Sequence, residues 1–229
     1  MPDRVLLHVG THRTGTTSIQ LFLREHNDTV LAAAGVHYPP GFLLPVVHTE
    51  LPLLIIRPGW MWPARLRFPE TQRPSWLAAA RAHVRHHLCT DPRETLAFVQ
   101  EDLSYLRSAE ELERLRDLFA DTEAHIAIFL REPQAFLRSC AAQLTATGFE
   151  LTDDPGSFAY LEPDSWLVDY EALVAGYRTC FGDDRVHVVD YDRAIEEDGS
   201  VIPAYAALLG IDRSELPDLE RYHVNRTGS

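Results

Sequence analysis

Lysine is absent from the 229 residues, and all 21 basic side chains are arginine. That excludes a Schiff-base lysine, and with it pyridoxal-phosphate chemistry of the usual kind. It also excludes an ordinary P-loop NTPase, whose loop lysine sits on the nucleotide phosphates. Cysteine is scarce: Cys89, Cys140 and Cys180 are odd in number and widely spaced. With no CxxC or zinc-ligand spacing, they read as free thiols in a reducing compartment. Long apolar runs are missing, so neither a signal peptide nor a membrane span is visible. The 21 basic residues face 34 acidic ones, a net charge of −13. That balance argues against nucleic acid or an anionic membrane as partner, and leaves room for a local basic pocket that takes a small anion. These absences describe an acidic, cytoplasmic protein of a length suited to one α/β domain.

What is present reads as strands alternating with helices. Arg4 to Gly10 (RVLLHVG) is a short run of buried-strand type, followed directly by a glycine- and threonine-rich turn. Thr16 to about Ala34 carries apolar residues at helical spacing, and Gly35 supplies the stop. Val36–Tyr38 reads as a second short strand. Further helices are expected at 76–88, 109–119, 133–147, 165–181 and 202–209, and strands at 94–100, 124–130 and 186–190. This alternation predicts a doubly wound α/β fold, a mainly parallel sheet with helices on both faces in three layers. Residues 1–229 read as a single domain with an irregular proline-rich insertion at about 39–75. Eight of the 15 prolines fall there, with Trp60 and Trp62. Proline at that density breaks helices and central strands, so the insertion is expected to be partly helical and partly a lid.

The turn after the first strand carries the most chemistry. Gly10-Thr-His-Arg-Thr-Gly15-Thr16-Thr17 opens a helix, where backbone N–H groups and the helix N-terminus make an anion site. The Gly10–Gly15 spacing matches the GxxxxG of a Walker A loop, and Thr17 falls on its final Ser/Thr position. The Walker lysine position is Thr16, and the cation stands inside the loop at Arg13. For an NTPase the charge is misplaced, which points to another phosphate-bearing ligand.

The stretch LLHVGTHRTGTTSIQ resembles the 5′-phosphosulfate loop of sulfotransferases that use 3′-phosphoadenosine 5′-phosphosulfate (PAPS). Bacterial members commonly read G-x-x-K-T-G-T-T-S-x-Q there, and Arg13 stands in place of the lysine. A second segment is similar to the family's 3′-phosphate motif: AHIAIFL runs into Arg131-Glu-Pro133, with Ser139 eight residues after Arg131. An arginine at a strand end and a serine two turns into the next helix suit a charge-assisted clamp on one phosphate. The segments Tyr170–Gly182 and Arg185–Tyr191 resemble the family's following helix and strand. The resemblance implies that Gly10, Thr11, His12, Arg13, Thr14, Gly15, Thr16, Thr17 and Ser18 cradle the 5′-phosphosulfate. It further implies that Arg131 and Ser139 take the 3′-phosphate, with Arg226 reaching it from a late loop. The product would be adenosine 3′,5′-bisphosphate, and no metal is required.

Sulfuryl transfer needs a base for the acceptor hydroxyl and donors for the departing oxygen. Glu101, directly after the 94–100 strand, stands where the resemblance implies a histidine or glutamate base; a capping or solvated carboxylate is its other reading. His48, entering from the proline-rich stretch, and His12 are rival bases, while His8 reads as buried structure. Arg13 is expected to donate to the oxygen bridging phosphate and sulfur, although a guanidinium is a poor general acid. Trp60, Trp62 and Phe68 read either as a stacking wall for an acceptor or as core. The acceptor is expected to be a small molecule or a glycan bearing a hydroxyl. Two alternatives stay open: an atypical P-loop kinase or NTPase, and a nucleotide-binding module without activity.

Overall fold

A computed structural model describes residues 2–222. Its strands are β1 (Arg4–His8), β2 (Val36–His37), β3 (Thr95–Val99), β4 (Glu123–Leu130) and β5 (Val186–Asp190). They pair only in parallel, in the order β2-β3-β1-β4-β5. From β1 the chain first builds toward the β2 edge, then crosses to lay down β4 and β5. The winding therefore reverses at β1, with β3 and β4 as its immediate neighbours. In such sheets ligands bind beyond the carboxyl ends of the strands at the reversal.

Ten helices accompany the strands in the described residues: α1 (Thr16–Glu25), α2 (Val30–Ala33), α3 (Glu50–Ile55), α4 (Pro63–Arg67), α5 (Pro74–Thr90), α6 (Ala109–Leu118), α7 (Pro133–Ala146), α8 (Tyr170–Phe181), α9 (Tyr191–Asp198) and α10 (Ile202–Leu208). The two-residue side-chain period of the strands splits the core between two faces. Val5, Leu7, Phe98, Ile126 and Ile128 join the apolar sides of α3, α5, α6 and α8 on one face. Leu6, Ala97, Ala127 and Phe129 join Ile19 and Phe22 of α1 and Ile202 and Tyr205 of α10 on the other. Burial on both faces is why these strands read as nearly unbroken apolar runs. The doubly wound three-layer fold expected from the sequence is the one observed.

Three departures have local causes. The helix expected over 16–34 breaks between α1 and α2, where the Asn27 side chain accepts the Tyr38 N–H at 2.8 Å instead of facing solvent on a helix. The segment expected as a helix over 165–181 begins as a 3-10 turn at Trp166–Val168, and Asp169 then caps α8 through the Ala172 N–H. Helix α9 is short and mostly charged, with Ala194 its one buried residue and Tyr191 packed beside it, but Asp190 caps its start and Gly199 (φ 66°) ends it.

The proline-rich insertion is more ordered than its composition suggests. Pro63 and Pro74 stand in the first turns of α4 and α5, and Pro69 opens a 3-10 turn, positions where the missing N–H would have no partner in any case. Buried Glu111 of α6 clamps the insertion, accepting the Arg57 backbone N–H and Arg57 Nη1, both at 2.9 Å. Arg65 Nη1 donates to the carbonyls of Arg57 and Trp60 at 2.8 Å each. None of the helices among the described residues is long and apolar enough to cross a membrane.

Candidate active site

Three chain segments leave the carboxyl ends of adjacent strands and converge. After β1 comes the glycine loop, after β3 the 3-10 turn Glu101–Tyr105, and after β4 Arg131 and the start of α7. The loop is pinned to the sheet where Thr11 gives both its N–H (3.0 Å) and its hydroxyl (3.1 Å) to the Phe129 carbonyl. The Thr14 hydroxyl closes back on the Thr11 carbonyl at 2.5 Å. Arg13 (φ 65°) is the one non-glycine residue with positive φ among the described residues, a strained conformation of the kind that clusters at ligand sites. Gly10 has no room for a side chain, because an added Cβ would lie 2.4 Å from His8 Cε1.

Helix α1 starts open. Its cap, Gly15 (φ 81°), offers no side-chain acceptor, and the first turn holds no acidic residue. Ile19 is the first amide to bond back, to the Gly15 carbonyl at 3.1 Å, leaving the N–H groups of Thr16, Thr17 and Ser18 outside the helical ladder. The Thr16 hydroxyl is buried without a partner, and so is Nε of Arg131. Orphaned polar atoms beside an open helix N-terminus fit an anionic ligand. The Ser18 hydroxyl is engaged elsewhere, donating to the Tyr222 carbonyl at 2.6 Å.

The two sequence motifs meet directly. Arg13 Nε donates to Ser139 Oγ at 2.9 Å, and Arg131 Nη1 reaches the Arg13 carbonyl at 3.5 Å. Ser139 thus pairs with the loop arginine, where the sequence suggested a clamp with Arg131. Arg226 lies outside the described residues.

Beside the loop is a cavity of about 280 Å³, lined at its polar end by His12, Gln100, Glu101 and Asp102. The rest of the lining is mixed: Leu44, Val47 and Phe68 from the insertion and Phe136, Phe149 and Phe158 are apolar, while Thr49, Arg67, Gln143 and Thr147 are polar. His12 Nε2 lies 2.9 Å from Asp102 Oδ1, and Trp62 Nε1 donates to Asp102 Oδ2 at 3.1 Å. Burial pushes the His12 imidazole down, but Glu101 and Asp102 together outweigh it, and His12 titrates above its ordinary value of 6.5. Neither the His12–Asp102 pair nor its tether to Trp62 was legible in sequence, since 90 and 40 residues separate the partners.

Several expectations are corrected. His48 is fully buried, its Nδ1 accepting the Val99 N–H at 3.1 Å and its Nε2 donating to the Pro39 carbonyl at 2.9 Å. Both nitrogens are consumed, so His48 is not a free base. The short β2 pairs only as far as His37, and the imidazole fills the place of the missing strand beside Val99. Trp62 is core, stacked on Trp60 and 0% exposed, so Phe68 alone of the three aromatics lines the cavity.

Burial holds His8 down at about 3 and His48 at about 4. Because these folded-state values lie below the unfolded 6.5, the unfolded chain binds more protons as pH falls from 6.5 to about 4. The stability is fully present above pH 6.5 and drains away below it, by up to about 1.4 kcal/mol per pH unit for each histidine. Urea unfolding across this range should show the slope, and His48→Gln should flatten it by the share of one histidine. An unchanged slope in His48→Gln would refute a neutral buried His48.

No protein-family model and no curated protein matches the sequence. Comparison of folds is decisive. A crystal structure of a sulfotransferase from Alicyclobacillus acidocaldarius superposes with a TM-score of 0.64 at 19% identity, over 96% of this chain and 85% of that one. The chain has the sulfotransferase fold. The sulfotransferase domain of the Synechococcus PCC 7002 olefin synthase matches more loosely, with a TM-score of 0.51 at 15% identity, over 98% of this chain and 78% of that one. Within this sulfotransferase fold, the glycine loop, Arg131 and Glu101 all stand at the carboxyl ends of the three central strands.

Proposed function

We propose that the protein transfers the sulfuryl group of PAPS to a hydroxyl acceptor. The observation that carries this reading is the contact of Arg13 with Ser139 above an open α1 N-terminus, which joins the two phosphate motifs into one basic, anion-ready surface. The N–H groups of Thr16, Thr17 and Ser18, the Thr16 hydroxyl and Arg13 would hold the 5′-phosphosulfate, and Arg131 and Ser139 the 3′-phosphate. When bound, the donor supplies an electrophilic sulfur with a phosphate leaving group. Arg13 keeps a fixed positive charge where the departing oxygen gathers negative charge. His12, Glu101 and Asp102 line the polar end of the adjoining cavity, where the acceptor hydroxyl would give up its proton. The cavity lining mixes apolar side chains with Thr49, Arg67, Gln143 and Thr147, which suits a hydroxyl acceptor that has both an apolar face and further polar groups.

Titration calorimetry at low salt tests the reading. Adenosine 3′,5′-bisphosphate is expected to bind and to weaken as salt rises, while ATP with magnesium is neither bound comparably nor hydrolysed. Failure to bind the bisphosphate would overturn the proposal, and magnesium-dependent ATP hydrolysis would replace it with an NTPase.

A further inference from the structure

We propose that His12, oriented by Asp102, takes the proton from the acceptor hydroxyl, so that the base belongs to the phosphate loop and Glu101 acts on it through charge. The inference rests on the sulfuryl-transfer reading and assigns the proton acceptor within it.

The geometry is that of a positioned imidazole. With the Asp102 oxygen as acceptor, the 2.9 Å contact makes Nε2 of His12 the donor and leaves the lone pair on Nδ1. Nδ1 makes no hydrogen bond to the described residues, and the ring lines the cavity. Asp102 is itself held at both ends, by Trp62 Nε1 on Oδ2 and by its own N–H on Gln100 Oε1 at 3.2 Å. Tyr105 stacks on the imidazole with centroids 4.7 Å apart and planes 25° from parallel. Base, orienter and an open reacting face are therefore assembled before any ligand arrives. No side-chain hydrogen bond among the described residues orients the Glu101 carboxylate in the same way.

The charges around the ring suit the task. Glu101 and Asp102 favour its protonated form, Arg13 opposes it, and Tyr105 and Cys140 stand near as neutral groups. A base that titrates somewhat above 6.5 accepts a hydroxyl proton near neutral pH more readily than a carboxylate does. In the step, the acceptor oxygen bonds to sulfur while the bond from sulfur to the bridging oxygen breaks, that electron pair leaving on the phosphate. The hydroxyl proton passes to Nδ1, and Asp102 compensates the imidazolium.

The test uses the full chain, labelled PAPS as donor and 2-naphthol as probe acceptor, with three variants. His12→Gln is expected to lose about 100- to 10,000-fold in turnover while its affinity for adenosine 3′,5′-bisphosphate, read by calorimetry, stays within threefold. Glu101→Gln is expected to stay within tenfold, with the acid limb of its pH profile moved to lower pH. Asp102→Asn keeps the acceptor oxygen and loses the charge, so NMR should show the His12 imidazole titrating lower without any donor present. Turnover of His12→Gln near the parent value, with Glu101→Gln inactive, would return the base to Glu101 and sink the proposal. A His12 titration unmoved in Asp102→Asn would sink it as well. Failure of the parent protein to bind the bisphosphate would instead remove the sulfuryl-transfer reading beneath it.

Discussion

Arg13→Ala is expected to lower sulfuryl transfer by about 100- to 1,000-fold, and Arg13→Lys to hold it at or above the parent rate. The loop has one cation, and that cation is tied to the second motif by the 2.9 Å bond from Nε to Ser139 Oγ. Removing it leaves the α1 N-terminus to face the departing charge alone. Lysine restores a compact point charge at the same place, and it adds a dissociable proton that a guanidinium does not offer. Stability should move little in either variant, since Arg13 is only partly buried and already strained at φ 65°. Initial rates of transfer from PAPS, with bisphosphate affinity measured in parallel, decide the matter. If Arg13→Ala transfers at the parent rate, the assignment of the loop is wrong.

Gly15→Ala is expected to cost about 2–4 kcal/mol of stability and to abolish bisphosphate binding. Two penalties coincide there: φ is 81°, and a new Cβ would lie 2.6 Å from Val201 Cγ2, on a side chain with 2% exposure and nowhere to go. Gly15 also sets the direction of the first α1 amides, so relief of the clash by backbone rotation would spoil the anion site. Gly210→Ala is the control, having φ 77° with nothing within 4 Å of the added Cβ. It should cost about 1–2 kcal/mol and leave binding intact. Chemical denaturation of the two variants separates backbone strain from steric contact, and equal losses would show that Val201 yields. The double variant Gly15→Ala/Val201→Ala should recover the steric share alone.

The missing lysine shows how far single residues carry. Its absence excluded several chemistries outright, and the one arginine in the glycine loop is the residue whose side chain joins that loop to Ser139 of α7. Strands buried on both faces were legible because burial demands unbroken apolar runs, and the loop was legible because glycine spacing at a strand-to-helix junction is local. Helix α9 was not, since eight mostly charged residues that meet the core through Tyr191 and Ala194 carry too short a stripe.

Histidines mark the boundary most clearly. From sequence, His12 and His48 were rival bases to Glu101, and His8 read as buried structure. The fold buries His8 and His48 and engages both nitrogens of His48, while it sets His12 against Asp102 through one nitrogen and places the residue in the lining of a cavity. The sequence by itself determined the alternating α/β order, the glycine loop at the first strand-to-helix junction and the strand-end positions of Arg131 and Glu101, because each is written in contiguous residues. Only the tertiary structure decided which imidazole is free, that Trp62 is a tether for Asp102, and that Ser139 answers to Arg13. Those contacts join residues 40 to 126 positions apart, and such pairings arise from packing and sheet topology, which no local pattern records.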